Sequence, residues 1–428
     1  MYVPHKFRVQ FRIGSAIFNM KNKIIFTISE VLVVLIAGLA AFYIFSKIGT
    51  GPSKVYIKTL EGKRFQLIVG NSPYIIKGMV YNPVPIGQNH TYDFWSDPLK
   101  PHMLDGKLMK EAGINVIRVY QPGKYAESTK STIRDLYNIF GIRVAMGHWL
   151  GFWENPNYAD PLFRERIKKN VLDMVRTYKD EKGILLWILG NENNISFSYG
   201  PQSANIWTTD EIEKLNDPFL KRQARAKFYY SFVNEVAKEI HKVDPGHPVV
   251  LANAELTDID TAVDITPDID ILGCSIYRGK AFGSFFREAQ NKFKKPVLIT
   301  EFGCDRYNAV SEKEDQGIQA EFIEAELKEI QKNTFRETGA GNCIGSFVFE
   351  WTDEWWKFNE NDSGTWNIHD TAPSWSNGAY YFDIKAPQNL NINEEWWGIC
   401  AIKKKGSGLD ERIPSKAYFR LKEMWSQK

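Results

Sequence analysis

The sequence predicts an α/β chain built on one (β/α)₈ TIM barrel, with an apolar N-terminal transmembrane helix and a short N-terminal β-hairpin element ahead of it. Three observations carry that expectation. Eight short, apolar, strand-like runs recur along the 428 residues, and most are followed by a segment with helical spacing. Alternation of this kind makes a parallel sheet covered by helices. Half of the runs begin in Ile, and polar or aromatic residues gather at their ends, as a barrel with its chemistry at one face requires. The length suits a single large barrel, and neither an internal period nor a low-complexity stretch is visible.

Residues 1–23 hold Lys6, Arg8, Arg12, Lys21 and Lys23 and no acidic residue. Ile24 to Phe45 follows as a run apolar but for Thr27, Ser29 and Glu30, about the length that spans a hydrocarbon core. The expected layout is a basic cytoplasmic N-terminus (1–23), a transmembrane signal anchor (24–45) and a linker (46–54), with residues 55–428 extracytoplasmic. A cleaved signal peptide is the alternative, since Val31 to Ala41 has the length of its apolar region. The formal net charge is +3 and no basic stripe occurs beyond the N-terminus, so no nucleic-acid partner is expected. The four cysteines, Cys274, Cys304, Cys343 and Cys400, lack metal-ligand spacing, and buried thiols and disulfides both fit them. No cofactor or metal is expected.

Val55 to Ile76 alternates and carries two turn signals, Glu61-Gly62 and Gly70-Asn71-Ser72-Pro73, which predicts the small hairpin element. The strands are expected at Ile75–Asn82, Ile114–Tyr120, Ile142–Leu150, Ile184–Asn191, Pro248–Glu255, Asp270–Tyr277, Pro296–Gly303 and Gly345–Asp353. Helices fit Leu104–Ala112, Thr129–Phe140, Pro161–Tyr178, Phe219–His241, Phe282–Lys292, Ser311–Phe335 and Ser415–Trp425, with the poorest one around Leu256 to Thr266. The strand ends read Tyr81-Asn82, Arg118-Val119-Tyr120, His148-Trp149, Asn191-Glu192, Asn253-Ala254-Glu255, Tyr277-Arg278, Glu301-Phe302 and Glu350-Trp351.

Two of those ends bear the chemistry. Ile184 to Leu189 is wholly apolar, which suits a strand buried on both faces, and it breaks into Gly190-Asn191-Glu192-Asn193-Asn194. Lys295 to Gly303 is a second buried strand ending in Glu301. A carboxylate at the end of a buried strand is costly unless something uses it. As strands four and seven of a barrel, the two would place their acids across one mouth. Two carboxylates in unlike surroundings suit cleavage of a glycosidic bond, one as proton donor and one as ionised partner of the sugar cation.

The motifs Leu189-Gly190-Asn191-Glu192 and Ile299-Thr300-Glu301-Phe302-Gly303 resemble the acid/base and nucleophile motifs of the clan A retaining glycoside hydrolases. That group includes cellulases, β-galactosidase barrels and β-1,3-glucanosyltransferases. The resemblance runs from Gly78-Met79-Val80-Tyr81-Asn82 to Phe349-Glu350-Trp351. It implies Glu192 as general acid/base and Glu301 as nucleophile. It further implies Asn191 on the sugar 2-hydroxyl, Arg118 beneath the nucleophile and Tyr277 donating to Glu301. His148 would line the catalytic sugar site and Trp351 would be its stacking floor. Apart from the resemblance, Asn82 and Trp149, at their own strand ends, are expected as further substrate contacts. Ser275 departs from the cellulase-like pattern, which often carries His two residues before the strand-six Tyr. Glu350 and Glu255 also end strands; beside Trp351, Glu350 should point away from the lumen.

Most of the 13 Trp lie after residue 350, many in the stretch 354–414, which is longer than an ordinary connection. Sugar rings pack their C–H faces on indoles, so this loop and Trp149, Trp153 and Trp207 are candidate subsites. The expected function is therefore a membrane-anchored retaining β-glycoside hydrolase or transglycosylase acting on a β-linked oligo- or polysaccharide. The alternative is a catalytically silent glycan-binding or assembly partner of a polysaccharide synthase.

Overall fold

A computed structural model describes residues 54–426 apart from 155, 199–205, 309–310, 358, 370 and 372–392. These residues belong to the second of two compact units, Pro52–Lys428. A small sheet comes first: β1 (Val55–Leu60), β2 (Arg64–Val69) and β3 (Ser72–Tyr74), antiparallel in that order. The expected hairpin is thus a three-stranded sheet, because each of the two turn signals makes its own reversal. Val55, Phe65 and Leu67 pack in one cluster with barrel-interior residues such as Val116 and Leu298, so the sheet closes the bottom of the barrel.

Eight parallel strands then form the closed ring: β4 (Ile76–Val80), β5 (Val116–Val119), β6 (Arg143–His148), β7 (Ile184–Leu189), β8 (Val249–Ala254), β9 (Ile271–Ser275) and β10 (Val297–Phe302). After a short pair in the following loop, β11 (Tyr307–Asn308) and β12 (Lys313–Glu314), β13 (Cys343–Val348) joins β10 to β4. Every residue of β7 is 0% exposed, which explains why its sequence shows no alternation.

Helices cover the ring where expected. The helix Pro161–Tyr178 shows why the sequence reads so plainly. Asp160 accepts from the Leu162 amide at its start, Pro161 fits the first turn, and Phe163, Ile167, Val171 and Val175 bury one face. The weak pattern near Leu256 forms only the short helix Ile259–Ile265. The strand expected over Gly345–Asp353 ends at Val348, since its ladder to β4 stops at the Val348–Met79 pair although the chain stays buried.

The stretch expected to be a loop over 354–414 holds more structure. Glu394–Trp396 is a 3₁₀ turn, and β14 (Cys400–Lys403) pairs with β15 (Glu411–Pro414). Arg306, buried, pins this segment to the barrel mouth: its guanidinium reaches Asp353 at 2.5 and 2.6 Å and the Gly398 carbonyl at 2.9 Å. Trp375, Tyr380 and Tyr381 lie outside the described residues. All four cysteines are buried.

The expected membrane span needs correcting. Among the described residues no helix is long and apolar enough to cross a membrane, and the segment 24–45 to which the span was assigned lies outside them. The fold supported here is the barrel with its N-terminal three-stranded sheet.

Candidate active site

At the C-terminal ends of the strands lies a cavity of about 940 Å³, at the upper end of the usual range for ligand sites. Its wall includes both Glu192 and Glu301.

Glu301 owes its direction to an irregularity in β10. Leu298 belongs to the barrel interior, and Ile299 and Phe302 to the layer facing the helices. Strict alternation from Leu298 would send residue 301 outward. The pairing with β9 shifts register between Ile299 and Glu301, and the extra residue turns the carboxylate into the mouth. There it is 5% exposed. Oε1 accepts from Arg118 Nη1 at 2.7 Å and from the Tyr120 hydroxyl at 2.8 Å, and Oε2 accepts from the Tyr277 hydroxyl at 2.9 Å. Arg118 can only donate, so the oxygen it meets presents lone pairs. Burial, and next the Glu301 charge, hold both phenols well above the usual tyrosine range, so they remain donors.

Glu192 is held by its backbone instead. It sits at φ 55°, a strained value for a non-glycine residue, and its amide donates to the Ala252 carbonyl at 3.1 Å. Gly190, at φ 77°, leads into this turn, and a Cβ there would stand 2.6 Å from the Tyr229 hydroxyl and 2.7 Å from Asn193 Oδ1. The Asn193 side chain locks the turn: it accepts from the Asn191 amide at 2.7 Å and donates to the Trp149 carbonyl at 2.9 Å and the Tyr158 hydroxyl at 2.7 Å. The Glu192 carboxyl accepts no hydrogen bond from the described residues. Loss of solvent, and next the Glu301 charge, push its pKa up to about 8. The two acids thus differ as acid/base and nucleophile must: one stays protonated near neutrality, the other is an acceptor held by three donors.

The remaining sequence-predicted residues divide. Asn191, Tyr277, Trp149 and Asn82 line the cavity. Arg118 lies behind it, 1% exposed, and besides Glu301 it reaches Asn191 Oδ1 at 2.7 Å and the Thr300 carbonyl at 2.8 Å, fixing which way the Asn191 amide points. His148 and Trp351 are not in the cavity wall. His148 Nδ1 accepts from the Leu150 amide at 3.0 Å, and burial lowers its pKa to about 4. Trp351 is 0% exposed and edge-on to Tyr418; the indoles on the wall are those of Trp95, Trp149, Trp153, Trp356 and Trp397. Trp207 packs against Tyr158 in the core, and Glu255 is paired with Arg278 at 2.8 and 2.6 Å. Ser275 lies 3.3 Å from the Thr300 hydroxyl, beneath the mouth.

Sequence reasoning missed Tyr120 as a site residue, although it ends the second strand run. Its ring also lies stacked on Trp149, centroids 4.8 Å apart, and Trp149 meets Trp153 edge-on at 5.6 Å. Trp153 is 47% exposed, so these rings form a shelf leading out of the mouth. Tyr120→Phe removes one donor to a charged acceptor, an interaction of about 1.5–3 kcal/mol. It should lower kcat/KM by roughly 10- to 100-fold, checked by steady-state kinetics beside a thermal melt.

A family model described as "Glycosyl hydrolase catalytic core" matches residues 205–337, which contain Glu301. Mannan endo-1,4-beta-mannosidase 5 of Solanum lycopersicum is 24% identical over 275 residues, covering 56% of this chain and 64% of that protein. Mannan endo-1,4-beta-mannosidase 1 of the same plant is 24% identical over 233 residues, covering 46% and 58%. The chain therefore spans less than two thirds of these relatives' length. The chain is a (β/α)₈ barrel whose sequence is similar to the glycosyl hydrolase catalytic core over residues 205–337. Solved structures agree on the fold. The barrel resembles a β-D-glucuronidase from Dictyoglomus thermophilum (TM-score 0.53, 16% identity, 87% of this chain and 54% of that one). It also resembles a Bacteroides uniformis β-glucuronidase (TM-score 0.56, 14% identity, 87% and 37%). The resemblance read from the two strand-end motifs is borne out at this level.

Proposed function

We propose that this chain is a retaining β-glycoside hydrolase that cleaves a β-linked oligo- or polysaccharide by double displacement. The observation that carries the reading is the pair of strand-end carboxyls sharing one cavity in opposite settings, with Glu192 raised toward neutrality beside Glu301. Glu192 gives its proton to the leaving glycosidic oxygen while a Glu301 oxygen attacks the anomeric carbon, forming a glycosyl-enzyme. Glu192, now a base, takes a proton from water, whose oxygen displaces Glu301 and regenerates both groups. A sugar hydroxyl in place of water gives transglycosylation. The shelf of Trp149 and Trp153 supports a chain of several sugars rather than a lone one, and the mannosidase relatives favour β-1,4-mannan as the first substrate to test.

The test is incubation of the purified chain with β-1,4-mannan, β-1,4-glucan and β-1,3-glucan oligosaccharides, followed by chromatography and NMR of the first-formed anomer. Shorter products with retained configuration are expected, and longer ones where transfer competes. Inverted product overturns the double displacement. No change in any glycan overturns the enzymatic reading.

A further inference from the structure

The loop after β13 puts a second group of charged side chains on the cavity wall, apart from the catalytic pair. Glu354, Lys357, Glu360 and Glu394 line it, where that loop meets Asn82 at the end of β4. Lys357 Nζ meets Glu394 Oε2 at 2.9 Å and stands 3.9 Å from Glu354 Oε2, beyond hydrogen-bond reach. Glu354 Oε1 accepts from Asn82 Nδ2 at 3.3 Å, whereas Oε2 has no hydrogen-bond partner among the described residues. The residue is only 5% exposed. Folded proteins seldom leave so buried an acceptor unmet. Glu354 also lines the cavity, so a bound sugar can reach it.

We propose that Glu354, with Asn82 and Lys357, holds a hydroxyl group of an uncharged sugar, and that Glu354 and Glu394 together exclude sugars bearing a carboxylate. This rests on the glycoside hydrolase reading and adds a specificity residue to it. A sugar hydroxyl can donate to Glu354 Oε2 and accept from the Lys357 ammonium, which has donors to spare beyond the one aimed at Glu394. A uronic acid would bring its carboxylate against Glu394 and the Glu354 side chain, and the nearest ammonium, that of Lys357, is already paired with Glu394. Like charges at such range in a water-poor site repel strongly.

The test compares kcat/KM for 4-nitrophenyl β-mannoside, β-glucoside and β-glucuronide in the wild-type chain and in Glu354→Gln and Glu354→Ala. The wild type should prefer the better neutral sugar over the glucuronide by at least 100-fold. Both variants should lose tenfold or more on the neutral sugars and narrow that ratio. General structural damage would slow all three substrates in parallel and keep the ratio, and Glu354→Gln, which preserves shape, covers the case in which Glu354→Ala fails to fold. An unchanged ratio, or a wild type that prefers the glucuronide, overturns the assignment of Glu354 and leaves the enzymatic reading standing. A wild type active on the glycans tested above but inert on all three aryl glycosides also overturns the assignment of Glu354, and one inert on both sets overturns both readings.

Discussion

Glu301→Gln should lower kcat by about 10⁴-fold or more, the scale on which loss of a covalent nucleophile is felt. The amide keeps the volume and can still accept from Tyr120 or Tyr277, but it cannot attack the anomeric carbon. It also leaves the buried Arg118 without its counter-ion at 2.7 Å, so the variant should be less stable. Kinetics on an aryl β-glycoside and a thermal melt check the two effects. A second readout isolates the role: Glu301→Ala supplied with azide should form the α-glycosyl azide, because the small anion enters from the vacated face. Wild-type rates in Glu301→Gln would remove this residue from the mechanism.

Glu192→Gln should cost about 10²- to 10⁴-fold, the usual worth of a positioned acid/base. The loss should be greatest for substrates with poor leaving groups, since a good one departs without a proton. The pH dependence carries the sign. Glu192 is raised to about 8, so it is protonated and competent for the first step below that value and loses its proton as pH rises through it. Wild-type kcat/KM should therefore fall on the alkaline side around pH 8, and the residual rate of Glu192→Gln should lack that limb. Around Glu192 the charges of Glu301 and Glu394 hold the proton on, while Arg118 and Lys357 favour its release. An alkaline limb unchanged in Glu192→Gln would assign it to another group.

The barrel was legible because burial on both faces leaves uninterrupted apolar runs, and because helices such as Pro161–Tyr178 carry their caps in the chain. Glu192 and Glu301 were legible for the same reason: an acid closing an apolar strand stands out against its own neighbours. His148, Trp351 and Glu255 stand at equivalent strand ends and look no different in sequence. The wall of the cavity excludes them because their side chains turn into packing, backbone contacts or an ion pair. Tyr120 and Glu354 were missed for the converse reason. Tyr120 meets Glu301 across 181 positions of chain and Glu354 meets Asn82 across 272, distances over which no local pattern reports contact.

By itself the sequence determined the ring of strands, its helical cover and the two acids at one end of it, because each follows from periodicity within a few consecutive residues. Tertiary structure decided the rest. The register shift in β10 chose the face on which Glu301 stands, and the strained turn after Gly190 aimed Glu192. Folding of the segment after β13 chose which of its indoles and charges line the cavity. Such choices depend on how strands pair and loops return in space, and hydrophobic spacing along the chain holds no record of either.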